Sequence, residues 1–305
     1  MWSMIGLFII RLDGAPKFAM WCNIVPGILN VLLDWIFIFP LGMGVEGAAI
    51  ATSISISIGG FMALGYLLCR AKDLKLIRLK MSAKSIALAF RNVGYHCRIG
   101  SSTLLGELAL AVMFYVGNRV FMHYLGDTGV GAYGIACYYM PFFFMVGNSI
   151  AQSAQPIISY NYGIDRWTRI VEARKVLLMT CLGFGVAVSL IFILFPKGLV
   201  GLFIPIESEA AIIAINGFPL LSIGILFFIL NVAIIGYYQS VERMGKATLY
   251  VFLRGFVFIV PCFLILPKFL GTVGIWLAMP ASELLTSLFI ALSVLPSRLK
   301  SLRKR

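Results

Sequence analysis

Charge is what this 305-residue chain has least of: 12% of its residues are Asp, Glu, Lys or Arg against 61% hydrophobic, and its mean hydropathy is +0.98. Too little polar surface remains to cover a soluble globule of this size, which places the chain in a bilayer. Histidine occurs only as His96 and His123, isolated near span ends with no second ligand at helical spacing, so no histidine metal centre is expected. The six cysteines (Cys22, Cys69, Cys97, Cys137, Cys181, Cys262) are dispersed without a C-x-x-C pair and read as small buried hydrophobes. That excludes a disulfide framework and a thiolate metal site. The sequence also lacks a Walker loop, a G-x-S-x-G elbow and an H-E-x-x-H pair, so it reads as no enzyme and as needing no cofactor. Transport by such a chain would draw on an ion gradient.

What is present is a series of long apolar runs. Residues 18–39, 47–69, 99–123, 131–152, 176–195, 211–235, 249–267 and 274–295 each approach the roughly 20 residues that a helix needs to cross the hydrocarbon core. The expected fold is an all-α polytopic membrane protein with eight full spans. Residues 1–10 have no basic leader and no small-residue cleavage site, so they read as half a helix rather than a signal peptide. Ten residues rise only about 15 Å, and the chain is expected to begin inside a span.

A net charge of +13 could suggest a nucleic-acid partner, but the cations are sorted by side of the membrane. Strict alternation of eight crossings puts 11–17, Arg70 to Arg98, Asp165 to Lys175, Glu242 to Arg254 and the tail Arg298 to Arg305 on one side. Of the 25 Lys and Arg residues, Arg119, Lys197 and Lys268 alone fall towards the other. The positive-inside rule then makes the C-terminus cytoplasmic and removes the case for nucleic acid. The longest basic stretch, Arg70 to Lys84, reads as a solvated linker, with anionic-lipid or partner binding as the alternative.

The chain also matches itself. Pro40, Gly44, Gly47, Ala51 and Ser55 recur as Pro267, Gly271, Gly274, Ala278 and Ser282, all at an offset of 227 residues and each set straddling a break between two apolar runs. Internal symmetry of this kind is common in secondary transporters. Both hairpins turn on the outer face, so the duplication is parallel, about an axis along the membrane normal. Subtracting the offset from the start of the second lobe leaves roughly 140 residues of a symmetric transporter, three helices and part of a fourth, expected upstream. The organisation read from this is 1–69 as the C-terminal part of a first lobe, 70–98 as a basic linker leading into the next helix, and 99–305 as a second lobe.

Three carboxylates fall within the predicted spans: Asp34, Glu107 and Glu283. An ionised group at the bilayer centre costs at least about 2.5 kcal/mol, which makes each a functional candidate. Asn30 lies four residues before Asp34 on the same helical face, where an amide oxygen and a carboxylate can converge on one cation or share a proton. Thr52 on the next span, among Gly47, Ala48, Ala49 and Ala51, could add a hydroxyl oxygen across a close helix contact. Alternatively Asp34 lies near the outer interface, five residues from Phe39 and a loop. Glu107 reads as a buried, proton-exchanging group or as a structural hydrogen-bonder. Glu283 follows Pro280 and Ser282, and either serves transport or caps backbone groups that the proline frees.

The run Leu29 to Phe39 (LNVLLDWIFIF) followed by Gly44 to Thr52 (GVEGAAIAT) resembles the fifth and sixth helices of the MATE family, the multidrug and toxic compound extrusion transporters. Gln155 to Gly163 (QPIISYNYG) resembles that family's eighth helix and Gly271 to Pro280 the start of its twelfth, while Tyr237-Tyr238-Gln239-Ser240 is similar to the MepA-like bacterial branch. The resemblance covers essentially the whole chain. It implies a two-lobe bundle of twelve helices, of which eight and part of another are here, in the cell's inner (plasma) membrane. It also implies a monomer, with the bilayer and drug-like, often cationic small molecules as its partners, exporting them against H⁺ or Na⁺. By the same resemblance Asn30, Asp34 and Thr52 match a first-lobe cation site whose other Asp belongs to the first helix, outside this chain. Glu107 stands where relatives use an acid for transport, Gln155 and Glu283 are further candidates for substrate or proton, and Asn231 stands near where many relatives have an acid. A flippase for lipid-linked oligosaccharides of the wider superfamily, or a non-transporting remnant, are the alternatives.

Overall fold

In hydrocarbon every backbone N–H and C=O must find its partner within the chain, and a sequence this apolar resolves that locally, as helices. The structure, a computed structural model, describes residues 2–72 and 82–302. Residues 73–81 of the basic linker and 303–305 of the tail lie outside the described residues. In order the helices are α1 (Trp2–Leu12), α2 (Pro16–Ile38), α3 (Gly44–Cys69), α4 (Ala83–Gly163), α5 (Trp167–Leu194), α6 (Pro196–Gly201), α7 (Glu209–Ser240), α8 (Met244–Phe252) and α9 (Ile259–Leu302), with a π-helical turn, Leu253–Phe258, joining α8 to α9. Among the described residues there is no strand.

Six stretches are long and apolar enough to cross a membrane, and two of these, Ala83–Gly163 at 81 residues and Met244–Ser293 at 50, are far too long for one crossing. Each is broken at a left-handed glycine, Gly126 (φ 64°, ψ −155°) and Gly271 (φ 58°, ψ −133°). Divided there, the described residues give eight stretches long enough to cross a membrane, and α1, with 11 residues, is too short to be another. The helices run through Pro26, Pro141, Pro156 and Pro219; the breaks fall at glycine instead.

The chain divides into two compact units, Met1–Leu88 and Ala89–Arg305. In the first, α1 and α2 pack on α3 through Leu7, Ile10, Ala19, Cys22, Ala63, Tyr66 and Leu67. Asp13, in the turn between α1 and α2, is buried, and its Oδ2 accepts from the Tyr66 hydroxyl (2.8 Å) and the Lys72 backbone N–H (3.0 Å). It ties that turn to the end of α3. Asp13→Ala strips both donors of that acceptor and is expected to cost about 1–3 kcal/mol, read as a lower melting temperature of the detergent-solubilised protein.

In the second unit α7 is the most buried of the long helices and packs on both α5 and α9. A core of stacked and edge-on rings, including Phe121, Tyr133, Tyr139, Phe192, Phe218 and Trp276, surrounds its N-terminal half. The hydroxyls of these tyrosines are satisfied by carbonyls: Tyr133 donates to Met113 (3.0 Å) and Tyr139 to Leu199 (2.9 Å).

The repeated residues have matching environments in the two units. Gly44 (φ 55°) and Gly271 (φ 58°) share the left-handed backbone that opens the second helix of each hairpin. A Cβ on Gly47 would come 2.9 Å from the Phe37 Cβ, and one on Gly274 would come 2.9 Å from the Pro267 nitrogen and closer still to the Leu266 carbonyl. Ala51 and Ala278 are both fully buried, and the buried hydroxyls of Ser55 and Ser282 bond back to the carbonyls of Ala51 and Met279. Close hairpin contact therefore requires glycine at Gly274, and Gly274→Ala is expected to destabilise by about 1–3 kcal/mol through overpacking, measured by thermal unfolding in detergent.

The turns that follow α1, α4 and α7 share a second geometry. The N–H three residues past the helix reaches back five positions: Ala15 to the Ile10 carbonyl (3.1 Å), Arg166 to Asn161 (2.9 Å) and Arg243 to Tyr238 (2.9 Å). The residue before each donor, Gly14, Asp165 or Glu242, is left-handed. These are Schellman closures, with an acid occupying the usual glycine position in two of the three.

Candidate cation and transport sites

In the first unit the hairpin of α2 and α3 brings Asn30 to Thr52, two of the residues singled out in the sequence, with Asp34 on the same face of α2. Asn30 and Asp34 are one turn apart on α2, and Asn30 Nδ2 donates across the hairpin to Thr52 Oγ1 at 3.3 Å. The Thr52 hydroxyl itself donates to the Ala48 carbonyl at 2.9 Å, leaving its oxygen turned towards Asn30. Asp34, half-buried, has its Oδ1 shielded from solvent with no hydrogen-bond partner. Such an oxygen is expensive in a low-dielectric setting, and the cost disappears when it takes a proton or a cation. The donor set on this face is a carboxylate, an amide and a hydroxyl: hard oxygen ligands of the kind that suit a small cation.

The second unit holds a different arrangement. Glu283, on α9, is buried and accepts from Arg254 Nε at 2.6 Å and from Asn231 Nδ2 at 2.8 Å. The same Asn231 amide also reaches the Glu283 backbone carbonyl (2.9 Å), and Ser287 donates to Asn231 Oδ1 (2.9 Å). The Arg254 guanidinium lies 4.0 Å above the centre of the Phe228 ring. Glu283 thus serves an ion pair and does not cap carbonyls freed by Pro280. Arg254, grouped by charge sorting with the cytoplasmic cations, instead lies 6% exposed inside the unit. It lies in the π-helical turn, Leu253–Phe258, a kind of segment that often marks functional sites. Gly106, Ala109 and Met113 of α4 face this pair across a cavity of about 10 Å³, room for about one water.

Glu107 and Gln155 join neither site. Glu107 is exposed on its unit, not buried as expected, and Gln155 is half-buried; within the chain and among the described residues neither makes a hydrogen bond. Asn231 and Arg254 are the partners that reading single carboxylates missed. The signal was available: a cation and an acid both inside predicted spans call for each other.

The MatE family profile matches residues 103–264. The chain is 26% identical over 289 residues to the multidrug export protein MepA of Staphylococcus saprophyticus, an alignment covering 93% of this chain and 61% of that protein. It therefore spans under two thirds of that relative's length. Among solved structures it superposes with a TM-score of 0.86 on an outward-facing multidrug resistance MATE family transporter of the MOP superfamily, at 21% identity, over 99% of this chain and 67% of the other. A TM-score of 0.80 at 28% identity, over 97% of this chain and 65% of the other, relates it to the MATE multidrug transporter DinF-BH, solved in complex with R6G.

Proposed function

The chain belongs to the MatE family, and from that premise we propose that it works in secondary active efflux, moving drug-like, often cationic compounds out across the plasma membrane in exchange for H⁺ or Na⁺. The observation that carries this reading is the unpartnered, shielded Asp34 Oδ1 beside the Asn30–Thr52 hydrogen bond. A cation or proton arriving there satisfies the oxygen and changes the electrostatics between α2 and α3. Two packings of the hairpin then differ in affinity for the ion, which is what coupling requires. The C-terminus lies in the cytoplasm in this reading, as the sorting of basic residues supports.

A lipid-linked oligosaccharide flippase would need free in-span cations to hold its phosphates. The chain offers few in or beside its spans beyond Arg98, Arg119 and Arg254, and Arg254 is held by Glu283, which favours the drug exporter. Efflux of a cationic dye from cells expressing the whole gene product, under an imposed Na⁺ or proton gradient, tests the proposal. Gradient-dependent efflux is expected, and its absence under both gradients would refute the reading.

A further inference from the structure

On the face that carries most of the basic residues, the second unit has a cavity of about 200 Å³ that the cation site does not involve. We propose that it binds the headgroup of an anionic phospholipid. Arg174 of α5, Arg243 in the turn before α8, and Lys246 of α8 converge on it from three segments, with Trp167, Tyr237 and Tyr238 as its aromatic wall.

The cations are held in place and left uncompensated. The Arg174 guanidinium lies 5.6 Å from the Tyr237 ring centre and the Lys246 ammonium 5.6 Å from that of Tyr238, contacts that orient both charges without neutralising them. Among the described residues no carboxylate comes within 4.0 Å of the charged nitrogens of Arg174, Arg243 or Lys246; Glu172, the nearby acid on α5, pairs with Arg169 at 3.3 Å. The backbone adds to the same field. Arg243 occupies the N-cap of α8, where a side-chain acceptor normally sits, and no side chain caps that helix. Placing a cation at the positive end of a helix is locally unfavourable, and a bound anion reverses the sign of that interaction.

A phospholipid fits better than a free anion because of the wall. Trp and Tyr rings concentrate at the membrane–water boundary, and here Trp167 is half exposed beside the cations. An acyl chain can leave along that ring while the phosphate stays with the arginines. Basic pockets between membrane helices on the cytoplasmic side are suited to such headgroups.

The test is lipid titration of the purified chain in detergent, read by melting temperature and by native mass spectrometry. Phosphatidylglycerol or cardiolipin is expected to bind at least about tenfold more tightly than phosphatidylcholine of the same acyl chains. Arg243, being exposed, gives a variant that leaves the packing intact: Arg243→Gln is expected to weaken anionic-lipid binding severalfold with the lipid-free melting temperature unchanged. The combined Arg174→Gln, Arg243→Gln and Lys246→Gln variant is expected to abolish the preference, and Arg243→Lys to retain it. Equal binding of phosphatidylcholine, or an unaltered preference in the Arg243→Gln and combined variants, overturns the proposal. Inorganic phosphate reproducing the whole shift without acyl chains overturns the lipid as occupant.

Discussion

Glu283→Ala is expected to lower the stability of the detergent-solubilised protein by about 3–5 kcal/mol, the largest effect of any single substitution considered for this chain. The side chain is 3% exposed, and its removal leaves Arg254, itself 6% exposed, charged and without its one carboxylate partner among the described residues. Asn231 loses one of its two acceptors on residue 283 and keeps the other, the backbone carbonyl. Most of the penalty therefore comes from the stranded cation. That account makes a second, sharper statement: Arg254→Met combined with Glu283→Leu should recover most of the loss, because the pair's mutual attraction only offsets the desolvation of both charges. Denaturant or thermal unfolding of the four species closes the cycle. If Glu283→Ala leaves unfolding unchanged, or the double variant is as damaged as either single one, the ion pair is not what holds α9 to the π-helical turn.

Asp34→Asn is expected to abolish gradient-driven efflux while leaving the protein folded. The amide is nearly isosteric with the carboxylate, so α2 keeps its packing on α3 and the Asn30–Thr52 bond at 3.3 Å is untouched. What changes is the charge. An amide neither releases a proton nor attracts a cation as a carboxylate does, and with no difference between loaded and empty states there is nothing to bias the hairpin. A fall of at least about a hundredfold in gradient-dependent rate follows if coupling requires differential ion affinity of a few kcal/mol. Thr52→Val, which removes one oxygen and keeps the charge, should weaken the response without abolishing it.

The spans, the hairpin repeat and the meeting of Asn30 with Thr52 were legible in the sequence, for different reasons. Eight apolar runs separated by glycines and charges define crossings with little help from packing, and the two over-long helices broke at Gly126 and Gly271 between the predicted runs. Asn30 and Asp34 share a face through local spacing alone, and Thr52 faces Asn30 because the hairpin joining them is short. For the Arg254–Glu283 pair the sequence offered a cation and an acid inside predicted spans but not that they meet, because they lie 29 residues apart on segments whose faces cannot be read from periodicity when nearly every residue is apolar. Glu107 shows the opposite limit: depth in an apolar run suggested burial, whereas the face on which it lies is exposed on its unit.

The most direct test of the cation site is gradient-driven efflux of a cationic dye from cells, compared between Asp34 and Asp34→Asn under an imposed Na⁺ or proton gradient. An ion can bias the hairpin only through a difference in affinity between its two packings, and the Asp34 carboxylate is the group that supplies it. The account predicts efflux that follows one of the two gradients in the unaltered protein and is lost in the Asn variant. An Asp34→Asn protein that exports the dye as the unaltered protein does would contradict it.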